Sequence, residues 1–323
     1  MIEVGVYSDG LAHLTLDACL AFCAERRVRW IEFGTGNWSP APHLNLQAFL
    51  DSRGRRESLL GQLAEHDIGI SALNCSGNPL HPGAIGLMHA DVIRNSIRLA
   101  SLLGLDRVVT MSGLPAAPGD RHPNWIITSG PPQTSEILAW QWDERLIPFW
   151  KELARFAADH GVRLCLEMHG SQCVYNVESL QRLRSEASET IGVNFDPSHL
   201  LWMGADPILA ASQLAGLIHH VHAKDVRIEP AAAVNSRLDA KPALPVEGRS
   251  WNFVAVGKGR DAQFWQALVE VLEEGGYDGP LSIENEDHAL RPAVAVDQAI
   301  RYLQDILAQH EFDNEVPAMR RRQ

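Results

Sequence analysis

The stretch IHHVHAKDV, residues 218–226, decides how the fold of this chain is interpreted. It begins with the apolar, β-branched character of a strand in a buried parallel sheet and then places imidazole, ammonium and carboxylate groups close together. In parallel α/β folds, binding and catalytic groups lie at the carboxyl ends of the strands. The stretch therefore predicts an α/β protein with a functional site at one face of its sheet.

Similar apolar runs recur along the chain with room for a helix between them. Eight are candidate strands, at residues 2–8, 29–36, 69–77, 107–113, 163–170, 191–199, 218–225 and 279–287. Segments with helical spacing lie at residues 14–27, 89–104, 143–161 and 261–276. This alternation implies right-handed βαβ crossovers, and eight such units close into a (β/α)₈ TIM barrel. A doubly wound open sheet is the alternative, but YSDGLAHL (7–14) lacks the GxGxxG that it requires after the first strand.

One domain accounts for most of the chain. We predict a single barrel over residues 1–310 and a C-terminal tail over residues 311–323, which includes the basic run RRR. Two connections are too long to be simple links, residues 113–142 after the fourth strand and residues 226–260 after the seventh. Loops that follow barrel strands lie at the C-terminal face. We expect both to form walls or lids over a pocket, or else contacts between subunits.

The composition is typical of a globular protein, with 46% hydrophobic and 21% charged residues. Forty acidic against 28 basic residues give a formal net charge of −12, which repels a nucleic-acid backbone. Five cysteines without a CxxC pair indicate neither a disulfide framework nor a thiolate zinc site, and they fit a reducing compartment. The sequence shows neither a signal peptide nor an apolar run of about 18 residues. We expect a cytoplasmic protein that binds neither nucleic acid nor membrane.

The last four candidate strands each end in a residue that can bind a divalent metal ion. These residues are Glu167, Asp196, His222 and Glu284. Any one of them alone is more simply explained as a helix cap or an ion-pair partner. Consecutive strands of a closed barrel, however, converge at one face, so the four side chains are expected to meet there. Carboxylates with one imidazole suit Mn²⁺, which we expect, and also Mg²⁺, Co²⁺ or Zn²⁺.

Side-chain alternation along a strand adds further residues to this face. His169 and Lys224 each stand two residues after a candidate ligand and should point the same way. Both can polarise a carbonyl or protonate a leaving group, and both can equally serve as ion-pair partners or as donors to a ligand. Glu286 has the same parity as Glu284, so the sequence leaves both open as the ligand from the eighth strand.

Other residues near the strand ends are weaker candidates. Asn74 on the third strand and Glu32 on the second can contact substrate hydroxyls, and Trp38 can stack on a sugar ring. Packing is the simpler explanation for Trp38. His220 should lie one layer beneath His222 as a satisfied core histidine.

Four motifs at the fifth to eighth strand ends together resemble those of a known family. They are LEMH (166–169), NFDPSH (194–199), HVHAKD (220–225) and LSIENED (281–287). The chain resembles the xylose isomerase-like TIM barrels, usually called sugar phosphate isomerases or epimerases. The resemblance implies that the four candidate residues bind the metal and that Glu167 and Glu284 form an acid/base pair. It also implies that His199 lies against substrate hydroxyls.

The family pattern is not matched everywhere. In the ketose 3-epimerases of this family an Arg stands six residues after the metal-binding histidine, and here that position is Ile228. Free ketohexoses are therefore less expected as substrates. The long tail of the seventh strand resembles a subgroup that acts on larger or oxidised sugars, including the catalytic subunits of C-glycoside deglycosidases.

These features predict an isomerase or epimerase that enolises a keto-sugar by two-glutamate proton transfer beside a divalent metal. A leaving group next to the abstracted proton would make the same machinery a lyase, as in inosose dehydratases or 3-keto glycoside C-deglycosidases. A non-catalytic sugar-binding subunit is a further alternative. The expected partners are a small sugar, keto-sugar or glycoside, together with a second copy of the chain or a small partner subunit.

Overall fold

The computed structural model describes residues 2–320, and its centre is a closed barrel of parallel strands. Its eight strands are β1 (Val4–Tyr7), β2 (Trp30–Gly34), β3 (Gly69–Asn74), β4 (Arg107–Met111), β5 (Arg163–Glu167), β6 (Ile191–Phe195), β7 (Ile218–Ala223) and β10 (Leu281–Ile283). Each strand pairs with its neighbour in the chain, and β10 closes the barrel by pairing with both β7 and β1. The predicted (β/α)₈ barrel is confirmed.

Helices follow the strands and cover the outside of the barrel. They are α1 (Leu16–Glu25), α2 (Leu46–Asp51), α3 (Arg53–Glu65), α4 (Ala84–Leu102), α5 (Gln133–Trp140), α6 (Ile147–Asp159), α7 (Val177–Glu186), α8 (Pro197–Met203), α9 (Pro207–Gln213), α10 (Ala232–Asn235), α11 (Ala262–Glu274) and α12 (Pro292–Arg320). Two of them begin with the same N-terminal cap, an aspartate followed by a proline. Asp196 precedes Pro197 and caps α8, and Asp206 precedes Pro207 and caps α9, each through its side-chain carboxylate.

Small side chains fill the barrel interior. Ala72, Val109 and Cys165 form a fully buried cluster on β3, β4 and β5. The residues of opposite parity on these strands, such as Leu73 and Leu164, pack outward in the main apolar core. Because Cys165 points inward, the alternation of the strand also points Glu167 into the barrel at its open end. The hydrophobic pattern of the strand thus positions its terminal polar residue.

The two long connections contain structure of their own. The first includes α5 and a π-helical turn at Gln141–Leu146 that runs into α6. In the second, β8 (Asp225–Ile228) pairs antiparallel with β9 (Trp251–Val254). Both follow barrel strands, as predicted. The pairing of β8 with β9 was not predicted from the sequence because the two strands are far apart in the chain.

The last helix, α12, continues to Arg320. Its backbone therefore stays helical beyond residue 311, where we expect the tail to begin, and residues 321–323 lie outside the described residues. The boundary at residue 310 stays a prediction. Within residues 2–320, no helix combines the length and the apolar character needed to cross a membrane.

Candidate active site

The four candidate metal ligands meet at the open end of the barrel. Glu167, Asp196, His222 and Glu284 each place a ligand atom within 4.8 Å of those of the other three. The Nδ1 atom of His222 lies at the centre of the group, 3.0 Å from Oε2 of Glu167 and 3.0 Å from Oε2 of Glu284. Three of the four side chains are nearly inaccessible to solvent, and Glu284 is the most exposed. The predicted convergence of these strand ends is therefore present.

The donor set fits a divalent cation. Oδ2 of Asp196 and Oε2 of Glu284 are buried and have no aligned hydrogen-bond donor among the described residues. The other oxygen of Asp196 accepts from the backbone N–H of Ser198 at 2.8 Å, which fixes the carboxylate as the cap of α8. The buried Oδ2 of Asp196 in particular lacks a donor within residues 2–320, which is costly, and coordination to a cation would satisfy it. These residues could therefore hold a divalent ion.

Burial and neighbouring charges shift the pKa values of the ionisable groups in this cluster. Burial raises the pKa of Asp196 well above its ordinary value, and although Lys224 opposes this shift, Glu167 and Glu284 reinforce it. Burial disfavours the charged form of His222, but the carboxylates of Glu32 and Glu284 raise its pKa well above the ordinary value. Without a metal, the site thus holds protons where a cation would otherwise balance the carboxylates.

Above the cluster lies a cavity of about 170 Å³. Several predicted residues line it, namely Trp38, Asn74, Glu167, His169, Lys224 and Glu284. Trp38 is 52% exposed and stands at the rim, whereas Asn74 is buried and donates from Nδ2 to Glu32 at 2.8 Å. The cavity therefore brings most of the predicted catalytic and binding side chains together around one space.

His199 lies beside the cluster and is not among the residues that line the cavity. Its Nδ1 accepts a hydrogen bond from the indole N–H of Trp202 at 3.2 Å, so Nε2 carries the proton of the neutral ring. That Nε2 lies 3.2 Å from Oε1 of Glu167 and 3.3 Å from Oδ2 of Asp196, without hydrogen-bond alignment to either. Burial lowers the pKa of His199 to about 3. Its contact with substrate hydroxyls stays a prediction.

His169 lines the cavity and is half-buried. Its Nδ1 contacts the backbone carbonyl oxygen of Gly170, which leaves Nε2 as the nitrogen free for other contacts. The centre of its ring lies 4.0 Å from that of His199 and 6.2 Å from that of Trp38. His169 thus stands between the buried cluster and the rim.

Lys224 is buried and contacts two glutamates. Its Nζ lies 3.0 Å from Oε1 of Glu286 and 3.3 Å from Oε2 of Glu284, and 4.3 Å from the ring centre of Phe253. Burial disfavours its charge, but these carboxylates raise its pKa above the ordinary value, so the side chain is an ammonium ion. Glu286 faces this ammonium and is not part of the four-residue cluster, whereas Glu284 is. The geometry thus favours Glu284 as the ligand.

Some residues at the site were not found from the sequence. Tyr7, Asp9 and Asn285 line the cavity, and the Tyr7 hydroxyl donates to Oδ2 of Asp9 at 3.1 Å. The polar residues of YSDG, at the end of the first strand, could have indicated that Tyr7 and Asp9 lie at this face. Glu32 was expected to contact substrate, but it is fully buried, lies beneath His222 and does not line the cavity. That expectation was wrong because the alternation of β2 turns Glu32 into the barrel below its open end.

Comparison with known proteins identifies the family. Residues 20–306 match the xylose isomerase-like TIM barrel family, and the chain belongs to that family. It is 44% identical to the uncharacterized protein YfiH of Bacillus subtilis (strain 168) over 313 residues, which cover 95% of this chain and 100% of that protein. Family members include enzymes such as inosose dehydratases.

Two further comparisons bear on chemistry and fold. Over 145 residues the chain is 28% identical to the inosose dehydratase of Clostridium beijerinckii (strain ATCC 51743 / NCIMB 8052), a match that covers 45% of this chain and 46% of that enzyme. The chain thus matches about half the length of that relative. A crystal structure of the IOLI protein with a bound zinc atom superposes with a TM-score of 0.67 at 18% identity, covering 96% of this chain and 99% of that one. At this identity the likeness shows a shared fold.

Proposed function

We propose that this protein is a divalent-metal-dependent sugar isomerase or epimerase that enolises a keto-sugar. The observation that carries the proposal is the position of two carboxylates. Glu167 and Glu284 come from strands separated by β6 and β7, yet each lies 3.0 Å from the same nitrogen of His222, and both line one cavity. Two carboxylates that line one small cavity suit the removal and return of a carbon-bound proton.

Enolisation requires a base and stabilisation of the charge that forms on the carbonyl oxygen. Glu167, Asp196, His222 and Glu284 would hold the ion, and we expect Mn²⁺, with Zn²⁺, Mg²⁺ and Co²⁺ as alternatives. When bound, such an ion supplies Lewis-acid stabilisation of the developing negative charge and orients the oxygens of the substrate.

In the metal-free protein the two glutamates are ionised, which is the form that can accept a proton. Burial raises the pKa of Glu284, but Lys224 and His222 outweigh it and lower that pKa to about 2. Burial likewise opposes ionisation of Glu167, while His199 and His222 hold its pKa well below the ordinary value. One carboxylate can take the proton from one face of the substrate carbon and the other can return it to the opposite face, which inverts the carbon. Return to the neighbouring carbon gives isomerisation instead.

The cavity favours a neutral, polyhydroxylated substrate. Its walls carry hydroxyl-binding groups, among them Asp9, Asn74, Ser76 and Asn285. Among the described residues that line it, Lys224 is the one Lys or Arg, and its ammonium already contacts Glu284 and Glu286. A phosphate group would therefore meet carboxylates without a free cation to balance it.

A lyase reaction is the second candidate, and the similarity to inosose dehydratases favours it. If the carbon next to the abstracted proton carries a leaving group, the same proton removal leads to elimination. A leaving hydroxyl or glycosidic oxygen needs a proton, and His169 lines the cavity where it could donate one. The location in the cytoplasm and the assembly into a homo-oligomer or with a small partner subunit stay predictions.

Deuterium exchange tests the proposal directly. Metal-loaded protein would be incubated in D₂O with neutral keto-sugars, inososes and 3-keto glucosides while NMR follows the C–H signal beside each carbonyl. We expect metal-dependent exchange, and we expect Glu167→Gln or Glu284→Gln to slow it by about 10²-fold or more. Glu270→Gln, at an exposed position on α11, is the matched control. The products distinguish epimerase, isomerase and lyase.

The same experiment can contradict the proposal. If the protein binds metal and sugar but exchanges no proton on any compound, a non-catalytic sugar-binding subunit becomes the better explanation. If both glutamine variants exchange at the wild-type rate, Glu167 and Glu284 are not the acid/base pair.

A further inference from the structure

A second layer of polar side chains lies inside the barrel beneath the metal cluster. It consists of Glu32, Asn74, Asn194, His220 and Ser282, each with at most 1% of its surface exposed. These residues come from five different strands, β2, β3, β6, β7 and β10, and we call them the lower polar layer. Burying so many polar groups is costly unless they are bonded to one another or to the groups above them.

Glu32 is the acceptor at the centre of the lower polar layer. The amide of Asn74 donates to its Oε1 at 2.8 Å, and the Ser282 hydroxyl donates to its Oε2 at 2.6 Å. Nε2 of His222 lies 3.0 Å from Oε1 and 3.1 Å from Oε2 of the same carboxylate. Three donors thus face one carboxylate.

This arrangement decides which nitrogen of His222 faces the cluster above. Both oxygens of Glu32 accept hydrogen bonds, from Asn74 and from Ser282, so Nε2 of His222 carries the proton that points to this carboxylate. The remaining nitrogen, Nδ1, is the one that lies 3.0 Å from Glu167 and 3.0 Å from Glu284. The amide Nδ2 of Asn194, which can only donate, also lies 3.1 Å from Nδ1. The lone pair needed for metal coordination is therefore on Nδ1 and directed upward, while Glu32 accepts from below.

We propose that Glu32 is the positioning residue of the metal site, fixing the tautomer and orientation of His222 and adding a buried negative charge beneath the cation. The inference rests on the metal site of the proposed function, although not on the reaction. Its distinctive consequence is that the metal is bound through Nδ1 of His222, at a strength set by a residue that touches neither metal nor substrate.

The rest of the lower polar layer orients a second ligand. Oδ1 of Asn194 lies 2.8 Å from Nδ1 of His220, which fixes the amide so that its Nδ2 donates to Oε2 of Glu167 at 2.8 Å. Nε2 of His220 lies 3.4 Å from Glu32 without forming a hydrogen bond. Asn194 thus contacts both Glu167 and His222, and Glu32 supplies the charge.

Glu32, His220 and His222 are also close enough to hold an ion of their own. That site would compete with the cluster above, because His222 would turn its Nε2 lone pair downward. It would also displace the hydrogen bonds from Asn74 and Ser282. The nitrogen of His222 that binds the metal distinguishes the two arrangements, and our proposal requires Nδ1.

Glu32→Gln is the test variant, because it keeps the size of the side chain, removes its charge and introduces an amide donor opposite His222. We expect Mn²⁺ and Zn²⁺ affinities, measured at fixed pH by competition with a fluorescent chelator, to fall about 10- to 100-fold. Glu270→Gln should leave both affinities unchanged. A purely structural role would lower the melting temperature of the metal-free protein and leave metal affinity within about threefold of the wild type, and that result overturns the proposal.

A second measurement uses the wild-type chain, in case the variant does not fold. With ¹⁵N-labelled histidine and bound Zn²⁺, long-range ¹H–¹⁵N spectra should show His222 with a proton on Nε2 and metal on Nδ1, the signals being assigned by their loss in His222→Asn. Metal on Nε2, or two ions per chain, contradicts the proposal. If the wild type binds no divalent ion at all, the metal site of the proposed function fails, which is a distinguishable outcome.

Discussion

The Nζ atom of Lys224 lies 3.0 Å from Oε1 of Glu286, at the edge of the candidate active site. The ammonium is nearly inaccessible, whereas the Glu286 side chain is 43% exposed. The pair engages the ammonium group of the cavity wall, and Glu286 is not part of the metal cluster. Its effect on substrate charge can therefore be tested without altering the cluster.

We predict that Glu286→Gln makes the cavity more tolerant of anionic substrates. Lys224 would keep its contact with Glu284 and lose that with Glu286. Because partly exposed ion pairs are worth about 0.2–1 kcal/mol, inhibition of deuterium exchange by fructose 6-phosphate should tighten by about 1.4-fold to fivefold. Exchange on the neutral substrate should keep its KM within about twofold. Equal inhibition of variant and wild type would show that Lys224 does not govern charge selection.

Asp196 and Asp206 both cap a helix, but only Asp196 is a candidate metal ligand, so the same substitution at each can distinguish an effect on metal binding from an effect on folding. Asp196→Asn keeps a good cap for α8 but removes a candidate ligand charge, and Asp206→Asn makes the same change at the cap of α9. At a metal concentration 100 times its Kd, the folded wild type should gain about 2.7 kcal/mol. We expect Asp196→Asn to lose most of this gain and Asp206→Asn to keep it, as measured by thermal unfolding with and without Mn²⁺. Equal gains in both variants would remove Asp196 from the ligand set.

The sequence predicted the fold and the cluster because both depend on short-range patterns. The apolar run of each strand shows where the strand ends, and its alternation shows which residues point inward. Closure of the barrel then brings Glu167, Asp196, His222 and Glu284 together. The contact between Glu32 and His222 joins residues 190 positions apart and depends on the height of each side chain inside the barrel. The alternation along one strand shows which side chains point inward but not how far each lies below the open end of the barrel. For that reason the sequence suggested a substrate contact for Glu32.

Asp9 should make the stability of the metal-free protein depend on pH. Burial raises the pKa of Asp9 to about 6, from an ordinary value of 3.8, so the folded chain takes up a proton that the unfolded chain releases. The stabilising contribution of this protonated carboxyl is present below pH 3.8 and is lost as the pH rises through about 6. The asparagine side chain of Asp9→Asn does not ionise, so this variant does not lose stability at this position as the pH rises.

We therefore expect Asp9→Asn to become more stable relative to the wild type between pH 4 and pH 7, by about 1–3 kcal/mol. Urea unfolding of both metal-free proteins at several pH values measures the difference. Asp305→Asn, at an exposed position on α12, is the control and should show no such trend. A constant difference between Asp9→Asn and the wild type across this range would mean that Asp9 ionises as an ordinary carboxyl.

Asp225 should hold the segment that leads from β9 into α11. Its Oδ2 accepts from the backbone N–H groups of Gly257, Gly259 and Arg260 at 2.9, 3.0 and 3.0 Å, and the residue is fully buried next to Lys224.

Hydrogen bonds to a charged acceptor are worth about 1.5–3 kcal/mol each, and an amide oxygen would accept them less strongly. Asp225→Asn should therefore lower the free energy of unfolding by about 2 kcal/mol. It should also speed amide hydrogen exchange at residues 257–260, whereas Asp261→Asn, which keeps the cap of α11, should not. Unchanged exchange at these amides in Asp225→Asn would show that the segment is held by its own packing.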